Sequence, residues 1–141
     1  MIRIKRAYEA AARADGRRIL VERLWPRGMK KEALHFDAWP KEVAPSTSLR
    51  KWFSHRAERW DEFRRRYRKE LSANPSSWAP ILAASRGGTV TLLYSTHDLE
   101  HNGAVVLREF LVERARRRGS TVKRLKAISA AGKSAERHPT H

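Results

Sequence analysis

Two short runs constrain this chain most: Ile19-Leu20-Val21, and TVTLLY at residues 89–94. The first is a continuous apolar triplet, and the second is strongly apolar and β-branched. Strands of that kind are covered on both faces, which is the situation of strands in a parallel α/β sheet. Residues 2–6, IRIKR, do alternate, as a half-buried strand does. Asp15-Gly16 is a turn signal ahead of the second strand, which the pattern extends over residues 18–24, RILVERL.

Helical spacing fills the chain between the apolar runs. Residues 29–45, with Pro40 and Pro45 as breakers, read as a loop with short elements. Pro45-Ser46-Thr47-Ser48 offers caps for a short helix over 49–53. A longer helix is expected from about Ala57 to Leu71, because Trp60, Phe63, Tyr67 and Leu71 share one face. Asp61/Arg65 and Glu62/Arg66 are spaced to pair along it. Asn74-Pro75 reads as a cap followed by Pro in the first turn of a third helix, with Trp78, Ile81 and Leu82 inward and Gly87-Gly88 as its end. A polar bend, residues 95–102, leads into a last, well-buried helix through Ala104, Leu107 and Leu111, with Asp98 as its expected N-cap. The fold expected is therefore α/β: a small, largely parallel sheet flanked by helices in a single domain, followed by a basic, disordered C-terminal tail. Its limits are set at 1–113 for the domain and 114–141 for the tail.

A chain of 141 residues fits one domain. It has no cysteine, which excludes disulfides, thiolate nucleophiles and cysteine-ligated zinc. No signal-peptide pattern and no membrane-length apolar run is visible, so a cytoplasmic protein with no membrane partner is expected. The formal net charge of +16 favours anionic partners. Half of the excess lies in the tail, where Arg114, Arg116, Arg117, Arg118, Lys123, Arg124, Lys126, Lys133 and Arg137 stand against one acid, Glu136.

In parallel sheets ligands bind beyond the carboxyl ends of the strands. Here those ends are LWPRG and YSTHD. Arg23, Trp25 and Arg27 flank a fixed Trp-Pro step, and guanidinium forks suit phosphate or carboxylate. The alternative sets Arg23 against Glu22 or Asp37, with Trp25 in the core. Ser46, Arg50, Lys51, Trp52 and His55 cluster around the short helix, where His55 is a candidate proton carrier. Tyr94, Ser95, His97, Asp98, His101 and Asn102 form a polar turn at the third strand's end. His97 and His101 are four apart with Asp98 between, candidates for a metal if that stretch is helical, but with no third ligand and no HExxH pattern no metal is assigned. No cofactor is expected either. The anion site is thus assigned to Arg23, Trp25, Arg27, Ser46, Arg50, Trp52, Tyr94, Ser95 and Asn102. Its partner is an anionic small molecule or a nucleic-acid backbone. Catalysis, if present, falls to His55 or His97. A nucleic-acid alternative uses Arg64, Arg65, Arg68, Lys69, Arg116, Arg117 and Arg118. The oligomeric state is not legible.

VERLWPRG (21–28), APSTSLRKWFSH (44–55), RWDEFRRRYRKEL (59–71) and LLYSTHDLEHNGAVVLREFL (92–111) together resemble the YeaO-like group of the bacterial domain of unknown function 488 family. The resemblance covers roughly residues 1–113. It implies a small cytoplasmic α/β domain and lends no activity. Arg56 stands where the family often has an acid, and Gly103 where it tends to have a histidine.

Overall fold

The computed structural model describes residues 1–131, with side chains described as far as Arg117. Three strands, β1 (Ile2–Arg6), β2 (Arg17–Leu20) and β3 (Val90–Tyr94), form one sheet in the order β1-β3-β2. Both pairings are parallel, with Ile4 opposite Leu92 and Ile19 opposite the same residue from the other side. The strongly apolar TVTLLY run thus supplies the central strand, Val90–Tyr94, which is buried along its whole length.

Four helices complete the domain: α1 (Thr47–Phe53), α2 (Trp60–Ala73), α3 (Pro75–Gly87) and α4 (Gly103–Ala131). They pack on one face of the sheet, where Ile19, Leu92 and Tyr94 meet Phe53, Phe63, Tyr67, Ile81, Leu107 and Leu111. The other face is covered by loop rather than helix. Leu20 and Leu93 point there, against Leu34, Trp25, Met29 and Trp39. This explains why β3 is buried on both faces: helices cover Val90, Leu92 and Tyr94, and loop, chiefly the 29–45 segment, covers Leu93.

The crossover from β1 to β2 is fastened by a buried acid. Asp15 accepts from Lys5 Nζ at 3.1 Å, from the Ala12 N–H at 2.9 Å and from Arg18. Its own carbonyl takes the Thr91 hydroxyl of β3 at 2.7 Å. Burial pushes its pKa up, but these donors more than offset that and hold its carboxyl below the usual range.

Several local expectations shift. β2 ends at Leu20, and only the Val21 N–H continues the ladder, to Leu93 at 3.1 Å. Leu24, expected within the strand, is 60% exposed, because the chain has already turned away toward the Trp-Pro step. α2 begins at Trp60 after a 3-10 turn at Ala57–Arg59. Asp61 does not take Arg65; Glu62 accepts from both Arg65 at 2.6 Å and Arg66 at 2.7 Å. Those two bonds, Arg65's first, draw its pKa down to about 2. Asn74 makes no side-chain cap for α3, although Pro75 does open the helix. The N-cap of α4 is Asn102, not Asp98: Asn102 Oδ1 accepts from the Val105 N–H at 3.0 Å. Asp98 instead closes the preceding turn by accepting from the Glu100 and His101 N–H groups. α4 runs past Arg118, where the apolar stripe stops, to Ala131. Residues 132–141 of the expected tail lie outside the described residues. Among the described residues no helix is long and apolar enough to cross a membrane.

Candidate functional site

At the carboxyl ends of β2 and β3 the chain leaves a cavity of about 520 Å³. The exit of β2 supplies Glu22, Trp25 and Arg27, and the exit of β3 supplies Ser95 and Thr96. The C-terminal end of α1 supplies Arg50, Lys51, Phe53, Ser54 and His55. The start of α4 closes the far side with Asn102 and Gly103.

The WPRG loop holds its shape through its own bonds. Gly28 has φ 77°, the positive value that the third residue of a type II turn needs, and the Met29 N–H reaches the Pro26 carbonyl at 3.3 Å. Trp25 Nε1 donates to the Met29 carbonyl, and the Tyr8 hydroxyl donates to the Arg27 carbonyl at 2.7 Å. With its backbone fixed from both sides, Arg27 keeps an exposed side chain at the cavity edge.

The end of α1 is strained. Ser54 (φ 47°) and His55 (φ 58°) are consecutive left-handed residues, and neither is glycine. Such a conformation costs about 1–3 kcal/mol per residue and gathers at functional sites. Its effect here is to turn His55 back to the cavity after the helix ends, tilted against the Phe53 ring.

Glu22 joins the two strand ends. Its Oε2 accepts from the Ser95 N–H at 3.0 Å, and its carbonyl takes Trp39 Nε1 at 2.6 Å. Burial pushes its pKa up, against the pull of the Ser95 N–H and the Arg50 charge.

Of the anion-site residues read from the sequence, Trp25, Arg27, Arg50, Ser95 and Asn102 line this cavity, as does His55. Four others do not. Arg23 takes neither Glu22 nor Asp37; its guanidinium donates to the Ala44 and Pro45 carbonyls at 2.9 and 3.0 Å. Ser46 caps α1 through the Leu49 N–H and donates to Glu70 at 2.6 Å. Trp52 lies on the outer side of α1, with the Arg66 and Arg59 guanidiniums 4.3 and 4.9 Å from its ring centre. Tyr94 is in the core.

His97 faces a shallower hollow beside Arg6 and Tyr8, which shares Arg27 and Ser95 with the main cavity. His101 turns to Asp98 at 3.1 Å and to the Trp60 ring. No group of three or more acidic, histidine or cysteine ligands comes together among the described residues. On the helical face, Arg64 pairs with Glu109 at 2.9 Å and Arg68 with Glu113 at 2.7 Å, which ties α2 to α4. Arg65 is held by Glu62, and Arg117 lies 3.8 Å from Glu113. Arg118 lies beyond the described side chains.

Sequence reasoning missed Glu22 as a lining residue, weighing it only as a partner for Arg23. It also missed the apolar walls Phe53 and Phe63. One signal for Glu22 was present: it is the first charged residue after the apolar triplet, so it stands where the strand leaves the sheet.

Comparison with known proteins places the chain. Residues 1–129 match the family described as the inactive DUF488-N3 subclade. The uncharacterized protein YeaO of Escherichia coli (strain K12) is 42% identical over 110 residues, which cover 78% of this chain and 96% of that protein. An uncharacterized protein of Mycobacterium tuberculosis (strain ATCC 25618 / H37Rv) is 37% identical over 110 residues, 78% of this chain and 92% of its own. No solved structure matches the chain. With a family match over residues 1–129, which takes in both strand-end loops, the chain belongs to the YeaO-like DUF488 proteins, in the inactive DUF488-N3 subclade.

Proposed function

We propose that the strand-end cavity binds a small ligand carrying a phosphate or carboxylate, in the cytoplasm. The supporting observation is convergence: Arg27 from the β2 loop and Arg50 and Lys51 from α1 line one cavity of about 520 Å³. That volume suits a small molecule. Three cations face a single acid among the described lining residues, and the first turn of α4 adds its N-terminal partial charge. Binding rather than turnover is favoured by the subclade's description as inactive. The nucleic-acid alternative is less supported on the helical face, because Arg64, Arg65 and Arg68 already meet carboxylates there.

Calorimetric titration of the full chain with inorganic phosphate, at low salt, tests the reading. The paired substitutions Arg27→Ala and Arg50→Ala are expected to weaken binding at least about tenfold, since each removes a charge-assisted contact. Arg23→Ala is expected to lower stability and leave affinity unchanged, because its guanidinium is committed to two backbone carbonyls. Undiminished phosphate binding by the Arg27/Arg50 variant overturns the reading.

A further inference from the structure

Glu22 does not suit a cavity made for anions alone. It is the one acid among the described lining residues, and it sits between the strand ends rather than at the rim. A carboxylate in a partly dry cavity is costly unless it is paired, and a bound anion nearby would add repulsion. Ser95 supplies its N–H and the pull of its hydroxyl, both neutral donors, and Arg50 supplies a charge that an anionic ligand would share. Arg23, the neighbouring guanidinium in sequence, is directed elsewhere.

We propose that the ligand is bipolar, with its anionic group toward Arg27, Arg50 and Lys51 and an ammonium or comparable N–H donor toward Glu22. The proposal rests on the anion-binding reading of the same cavity. A ligand of this kind gives Glu22 a cationic hydrogen-bond donor beside the neutral Ser95 N–H and removes the repulsion a simple anion would meet. Its body should be flat and apolar, because Trp25, Phe53 and Phe63 form the walls. The competing account makes Glu22 a structural tie between the exits of β2 and β3, acting only through Ser95.

Matched probes separate the two accounts. O-phosphotyramine and 4-ethylphenyl phosphate share ring and phosphate, and only the first carries an amine. Phosphoethanolamine and ethyl phosphate form a shorter pair with the same difference. Titrated into the full chain, the amine-bearing member of at least one pair is expected to bind at least about tenfold more tightly. Glu22→Gln should abolish that preference and leave the amine-free probe bound as well or better. Equal affinities within both pairs overturn the proposal, as does a Glu22→Gln variant that weakens both members alike. If inorganic phosphate binds and none of the four probes does, the bipolar ligand fails and the anion site stands. If phosphate does not bind either, both readings fail.

Discussion

Gly16 is a residue the fold cannot exchange. It ends the turn behind the buried Asp15 with φ 62° and ψ −134°, and a Cβ placed there would run into the Thr89 carbonyl. Gly16→Ala combines backbone strain with that collision and is expected to destabilise the protein by roughly 1–3 kcal/mol, measured by urea unfolding. The pair Asp15-Gly16 was legible as a turn because its chemistry is local. The two arginines of the β2 loop were legible only as residue types. Nothing near Arg23 in sequence shows that the Ala44 and Pro45 carbonyls will come within 3 Å of its guanidinium. Arg27 stays free for a reason just as remote, the Tyr8 hydroxyl holding its backbone. The side chains of the site could be named from sequence, but their partners arise from tertiary contacts.

At the scale of elements, the end of α1 carries the strain that turns His55 into the cavity. Ser54 occupies a left-handed C-cap position, with its N–H on the Arg50 carbonyl at 3.0 Å, where glycine is the usual choice. Ser54→Gly is expected to stabilise the protein by up to about 1 kcal/mol, seen as a higher thermal midpoint, because relief of strain exceeds the added freedom of the unfolded chain. If Ser54→Gly lowers the midpoint, the left-handed turn is not a cost. α2 was readable from the spacing of Phe63, Tyr67 and Leu71, all buried as expected. β2 and β3 were readable from their apolar runs, β1 from its alternation, and the parallel sheet from the helices between β2 and β3. The order β1-β3-β2 was not, because parallel pairing joins residues as distant as Ile4 and Leu92. Nor was the start of α4: Asp98 and Asn102 are both good caps by type, and the bend that gives Asn102 the position is a matter of packing.

Over the whole molecule, a formal net charge of +16 should favour every carboxylate that stays ionised, and Glu22 goes the other way. Its folded pKa lies above the ordinary 4.5, chiefly through burial. Between those two values the folded state keeps a proton that the unfolded state has lost. The protonated form of Glu22 therefore supports folding fully below about pH 4.5, and that support is lost as pH rises through the folded value. Glu22→Gln keeps an oxygen to accept the Ser95 N–H and carries no charge at any pH. At pH 7 the variant is expected to be more stable than the parent chain, and the gap should close as pH falls to 4.5. The other carboxylates titrate in both proteins and cancel in the difference. Denaturant unfolding of the pair at the two pH values measures it. A parent chain more stable than the variant at pH 7 would mean that Arg50 already neutralises the carboxylate, leaving it no need of a cationic ligand. A variant that gains stability at pH 7 while losing its preference for the amine-bearing probes is the trade expected of a residue kept for binding at the expense of folding.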